Sequence, residues 1–326
     1  MPRLSIVIVL FCAAASAFTS LVHQRLVPEA RQLYKFDANT TLENIAVNSL
    51  DGKLVITSFE GRLYTLDPYS NDTEPFLVGQ LPGVDALFGI VELAPNTFAI
   101  AGGNLTEFRL EPGSAKIFKV SLGSPKAIDV IASIPDSTSI NGMALLPWNP
   151  DIVLAANSEN GSIYRIDIRT GHVGIAFSDS ILAPVDTGNV PLGVNGIKIW
   201  NSDLYFTNSA QGLFGRIPIT RDGGKAGNAT ILSTLPSSTG DTYDDFAIIS
   251  QCERVYAYIA THGNSIRKVG LDDPIETIYF GDGNSTTVEQ PSSLAFSRDR
   301  KMMYVVTNGF LTGPDQGGQI VEISAI

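Results

Sequence analysis

Four oxygen-bearing side chains recur in one small context: a polar residue, usually a small neighbour, then an apolar residue where a strand-like run begins. The segments are Leu42-Glu43-Asn44-Ile45, Ile140-Asn141-Gly142-Met143, Val194-Asn195-Gly196-Ile197 and Tyr243-Asp244-Asp245-Phe246. Two carboxylates and two amide carbonyls at one point could ligate a hard cation such as Ca²⁺ or Mg²⁺. A carboxyl pair could equally move protons as acid and base. Asn141, Asn195 and Asp244 stand 54 and 49 residues apart, and Glu43 precedes Asn141 by 98, close to two such intervals.

A period near 50 residues, filled with short strands, is the signature of a radial β-architecture. The same register places Phe88-Gly89-Ile90-Val91 and Pro291-Ser292-Ser293-Leu294, giving units that begin near residues 43, 88, 141, 195, 244 and 292. Phe88 takes the place of the polar anchor in the second. Within units, apolar runs such as Ile45–Val47 and Leu54–Ser58 flank Asp51-Gly52, and Ile197–Trp200 and Leu204–Thr207 flank Asn201-Ser202-Asp203. Such turn residues tolerate positive φ. A third run follows in Gly61–Leu66, Ser162–Ile168, Gly215–Ile219, Ser265–Val269 and Gly318–Ile323. Apolar residues alternate rather than recurring every third or fourth position, so no amphipathic helix is expected. The fold class is all-β, a six-bladed β-propeller in which equivalent anchors converge on the central channel. The last unit is one strand short, and Arg31–Phe36 has no unit of its own. The two are expected to pair, latching the ring and removing an open edge.

The N-terminus reads as a signal peptide over residues 1–17: Arg3, an apolar run from Leu4 to Ala15, then Ala15-Ser16-Ala17 as a small-x-small cleavage site. Residues 18–326 form the propeller domain. The run is too short for a membrane anchor, and no other stretch suits one. Six Asn-x-Ser/Thr sequons begin at Asn39, Asn71, Asn104, Asn160, Asn228 and Asn284, which with the leader predicts a glycosylated protein of the secretory pathway. Cys12 departs with the leader, leaving Cys252, expected to be a buried inert thiol. A net charge of −11 without a Lys/Arg cluster argues against nucleic acid and anionic membranes as partners.

With the four anchors in this order, the chain resembles the SMP-30/gluconolactonase/regucalcin superfamily of six-bladed propellers along essentially its whole mature length. That resemblance implies that Glu43, Asn141, Asn195 and Asp244 surround a divalent cation, with Asp244 also a general base. Simple capping of strand entrances, with water between the anchors, remains the alternative. The pattern departs from the lactonases at Ser139-Ile140-Asn141-Gly142, where those enzymes carry an Arg that holds a polyhydroxylated substrate. Phe88, Phe246, Leu87, Trp148 and Trp200 lie close to the anchors. Most of them are expected to pack between blades as core; if even two face the channel, its mouth suits a terpenoid or polyketide better than a sugar acid.

Glu43–Val47 (Glu-Asn-Ile-Ala-Val), Val194–Ile197 and the leader resemble secreted fungal members of the superfamily, among them hetero-Diels–Alderases. These join a tropolone-derived quinone methide to a sesquiterpene alkene such as humulene. The resemblance implies a pericyclase acting on lipophilic small molecules and needing no cofactor. Glu43, Asp244, Asn195 and Asn141 would be its polar groups, and Phe88, Phe246, Trp148, Trp200 and His262 would bind substrate. A metal-dependent lactonase or esterase, or a non-enzymatic binding propeller, are the alternatives.

Other chemistries lack their motifs. There is no Gly-x-Ser-x-Gly elbow, and Gly223-Gly224-Lys225 lacks the rest of a phosphate loop. Asp282-Gly283-Asn284 starts like a Ca²⁺ loop but has Thr287 where Gly is required. His23 and His172 read as surface residues, whereas His262, at a strand end in the fifth unit, can reach the mouth.

Overall fold

The computed structural model describes residues 28–106, 109–185, 192–309 and 316–324. The leader, Cys12 and His23 lie outside the described residues. Six antiparallel sheets of four strands stand around one axis, the six-bladed propeller expected from the repeat. The inner strands are Leu42–Val47, Ala86–Ala94, Met143–Leu145, Val194–Trp200, Tyr243–Gln251 and Pro291–Phe296. Apart from a three-residue 3₁₀ turn at Ser237–Thr239, no helix occurs among the described residues. A core lies between each pair of neighbouring blades, as flat sheets facing one another require. Leu87, Phe98 and Phe118 fill the wedge between blades one and two, and Tyr205, Phe214 and Phe246 fill that between four and five.

Blade six closes as anticipated. Its sheet runs from Pro291–Phe296 through Met302–Thr307 and Gln319–Ser324 to the N-terminal strand Ala30–Lys35. Ala30 pairs with Ile323 and Lys35 with Gln319, so the outermost strand comes from the opposite end of the chain. Arg31 adds an ion pair to Glu322 at 3.1 Å.

The inner strands are not regular. Five of the six slip register where they enter the ring: at 42/44, 87/90, 194/197, 243/246 and 291/293. Each slip is a bulge, and a bulge lets successive side chains face the same side instead of alternating. The amide freed by the bulge is satisfied from the second strand. Thr57 Oγ1 accepts from Asn44 N and donates to Phe88 O of the next blade. Thr207 Oγ1 does the same for Gly196 N and Asp244 O. The Gly142 amide donates directly across a blade boundary to the Asn195 carbonyl at 3.1 Å.

Such close approach requires glycine at the inner crossings. A Cβ on Gly142 would sit 2.7 Å from the Asn195 carbonyl oxygen, and one on Gly196 would sit 2.9 Å from Asp245 Cα. Because the obstruction is backbone, relief requires separating two blades. Gly196→Ala is expected to lower unfolding stability by about 2–3 kcal/mol in urea titration, the range of overpacked sites. A loss under about 0.5 kcal/mol would refute close packing there.

Candidate functional site

The bulges set two residues per blade on the channel. In blades one to five the first of the pair faces a cavity of about 730 Å³ at one end of the ring, lined by Glu43, Phe88, Asn141, Asn195 and Asp244. The four sequence anchors therefore share one wall with Phe88. Loops and blade connections complete it: Phe59, Leu105, Leu110, Thr138, Leu192, Ser209, Leu235, Asp241, His262 and Asn308 among others. The second residue of each pair lies deeper. Asp245, 2% exposed, accepts from Asn44 Nδ2 at 3.1 Å, Ser293 Oγ at 3.2 Å and the Lys198 ammonium at 2.6 Å. That carboxylate ties blades one, four, five and six together.

The three carboxyls of the channel differ by their partners. Asp245 has its lysine. Asp244 Oδ2 accepts from His262 Nε2 at 2.8 Å. Among the described residues no group donates to the Glu43 carboxyl. Burial, then the charges of Asp244 and Asp245, push the Glu43 pKa well above the ordinary carboxyl value, so a neutral acid is favoured there. Burial works against a charged His262, but its bond to Asp244 and the charges of Asp244 and Asp241 prevail and raise its pKa. The site thus sets a carboxyl biased toward its protonated form beside the hydrogen-bonded Asp244–His262 pair.

The set also fits a hard cation. Two carboxylates and two amide oxygens are the right ligand class, and Asn195 Oδ1 is buried with no hydrogen-bond partner. Glu43, Asn141, Asn195 and Asp244 would hold such an ion, which would supply Lewis-acid polarisation of a carbonyl.

Several expected residues lie elsewhere. Phe246 is fully buried in the wedge between blades four and five, because the bulge spends the two preceding positions, Asp244 and Asp245, on the channel. Trp148 and Trp200 follow the inner strands and sit with the turns at the opposite end of the ring from the cavity. Trp148 packs between blades three and four and donates to the Arg221 carbonyl, and Trp200 packs on the wedge of blades four and five. Leu87 is also core. The expectation that Phe246, Trp148 and Trp200 bind substrate at the mouth is therefore corrected, whereas Phe88 and His262 do line the cavity. Cys252 is exposed, not buried: it forms, with Glu253, the two-residue turn of a hairpin, both at positive φ. His172 is exposed, as are Asn39, Asn71, Asn160, Asn228 and Asn284, while Asn104 is half-buried.

Sequence reasoning missed the rest of the apolar wall. Phe59 and Phe88 pack ring to ring at 5.6 Å. Leu105 and Leu110 come from a short hairpin, Leu105–Thr106 with Arg109–Leu110, inserted between the second and third strands of blade two. Its signal was the length of that connection, from Gly103 to Lys116, which only the one from Thr307 to Gln319 in blade six approaches.

His262 gives a direct test. Its folded pKa is raised, so the stability it adds is complete below the ordinary value of 6.5 and is lost as pH rises through the folded value. In an NMR titration the His262 ring should show a midpoint above 6.5, and Asp244→Asn should bring it down. An unchanged midpoint in the variant would contradict the pairing.

No family model matches the chain. Two named proteins do resemble it. One, named "Putative hetero-Diels-Alderase" from Phoma sp, is 27% identical over 317 residues, covering 87% of this chain and 88% of that protein. Another, "Putative hetero-Diels-Alderase asR5" from Sarocladium schorii, is 25% identical over 251 residues, covering 67% of this chain and 61% of its own length. Among solved structures, a luciferin-regenerating enzyme superposes with TM-score 0.66 at 14% identity, covering 92% of this chain and 96% of its own. A protein described as a gluconolactonase superposes with TM-score 0.61 at 11% identity, covering 91% and 92%. The PQQ-bound aldose sugar dehydrogenase of Streptomyces coelicolor gives 0.60 at 13%, covering 91% and 98%. At such identities the structures speak for fold alone. The chain is thus a six-bladed propeller, similar in sequence to proteins whose names read "Putative hetero-Diels-Alderase".

Proposed function

We propose that this protein is a pericyclase that joins a tropolone-derived quinone methide to a sesquiterpene alkene such as humulene within the channel cavity. The observation that carries this reading is the division of the cavity wall. Phe59, Phe88, Leu105, Leu110, Leu192 and Leu235 offer apolar surface, and Glu43, Asn141, Asn195 and the Asp244–His262 pair form a polar patch beside it. About 730 Å³ is ample for two small organic partners in contact. A [4+2] addition loses no atom: one C–C and one C–O bond form as the heterodiene and alkene π electrons reorganise. The protein's contribution is to hold the partners at reacting distance in a space poor in water. The similarity to named hetero-Diels–Alderases supports the same class.

The polar patch also suits the step that makes the heterodiene. Neutral Glu43 gives a proton to the hydroxyl leaving from a hydroxymethyl precursor. The ring hydroxyl proton returns to the carboxylates, so the sum is loss of one water. The His262 imidazole then hydrogen-bonds a ring oxygen as charge develops on it.

Incubation of a hydroxymethyl tropolone with humulene should give adduct faster, and with a different stereoisomer ratio, in the presence of the protein. Glu43→Gln should slow it by about 10²-fold, the usual worth of a positioned acid. Rate and isomer ratio identical with and without protein would end this reading.

A second reading, a metal-dependent lactone or ester hydrolase, is favoured by one observation, the unpartnered Asn195 Oδ1 among four oxygen donors. It expects hydrolysis that disappears with a chelator and in Asp244→Asn. Hydrolysis indifferent to both, or none at all, would reject it.

A further inference from the structure

Two buried amide oxygens at the cavity wall have no hydrogen-bond partner: Asn195 Oδ1 and Asn308 Oδ1, in side chains 3% and 6% exposed. An acceptor buried without a donor costs stability unless a ligand or water supplies one. The orientation of the Asn195 amide is fixed by chemistry. Ser209 Oγ gives its only proton to the Tyr243 carbonyl at 2.7 Å. It can therefore only accept in its 3.0 Å contact with Asn195, which makes the contacting atom the amide nitrogen. The carbonyl is thereby left over for the cavity. Thr138 Oγ1, also unpartnered at the wall, can donate or accept and so does not discriminate.

We propose that Ser209 locks the Asn195 amide so that its carbonyl presents a fixed acceptor to the cavity, selecting a partner with a free hydroxyl group. The inference rests on the pericyclase reading for the identity of that partner, a hydroxylated tropolone. An ether at the same position brings oxygen lone pairs against the Asn195 carbonyl oxygen and leaves it unpaired, whereas a hydroxyl completes it. Sites built to pair a substrate OH reject analogues lacking it far more strongly than apolar pockets reject a change in size. Asn195 and Asn308 come from blades four and six, either side of Asp244 and His262 in blade five, so the oxygenated ring is held over that pair. The Phe59–Phe88 and Leu105–Leu110 wall is left for the alkene. Ser209 is a positioning residue, acting through Asn195.

Calorimetric binding of 3,7-dihydroxytropolone and of its fully O-methylated form tests this, with turnover measured separately. The wild type should prefer the free hydroxyls by at least tenfold. Asn308→Ala, which removes an amide free to turn, should leave the preference largely in place. Ser209→Ala, which lets the amide turn, should largely abolish it without altering humulene binding, and Ser209→Thr should restore it. Equal preference in wild type and Ser209→Ala would overturn the proposal, as would a preference that vanishes on chelation, since a cation would then own the oxygen. Failure to bind either tropolone would also overturn it. Adduct formation that continues while Ser209→Ala keeps full preference would remove this inference and leave the pericyclase standing.

Discussion

The ring depends on how closely neighbouring inner strands can pass at its axis. Where they cross, backbone meets backbone: Gly142 N donates to Asn195 O, and Gly196 lies against Asp245. Side chains there would hold the blades apart and widen the channel. The same narrowness makes the bulges necessary, because a regular strand would send only alternate residues to the axis. With a bulge, Glu43 and Asn44 come from one blade, and Asp244 and Asp245 from another. Thr57 and Thr207 absorb the amides that the ladder no longer satisfies and bridge to the next blade. Packing, pairing and the presentation of functional groups are consequences of one crowded crossing.

That crowding also sorts the charges. Three carboxyls occupy a channel of low polarity, where like charges interact strongly. The deepest, Asp245, is neutralised by Lys198 and serves as a tie between four blades. The next, Asp244, is balanced by His262. Glu43, with no cationic partner, is pushed toward its neutral form by burial and by the charges of Asp244 and Asp245. Identical functional groups thus receive different roles from their neighbours alone, an acid beside a base pair, with no change of residue type.

Much of this was legible in the sequence because repeats project directly onto a closed ring. The four anchors, the six inner strands and the N-terminal strand of blade six could be read from spacing and alternation. The fourth strands of most blades could not: Phe76–Gln80, Val173–Ser178 and Thr230–Thr234 lie at the outer edge, half-exposed, and lack strong patterning. Phe246 was misplaced because strict alternation from Asp244 points it inward, and a bulge is invisible to a period of two. Trp148 and Trp200 were placed near the mouth by closeness in sequence, although an inner strand carries its last residue to the far end of the ring. Ser209, Asp241 and Asn308 lie in connections between strands, where no periodicity marks a residue as facing the cavity.

The strand contributed to blade six by the chain's beginning has a kinetic meaning. Ala30 must find Ile323, a contact spanning nearly the entire polypeptide. During synthesis the early blades emerge long before their closing partner, so Ala30–Lys35 waits as an unpaired edge until the ribosome has delivered the last hairpin. Among the described strands this is the pairing of greatest sequence separation, and pairings of long range are the slow ones to form.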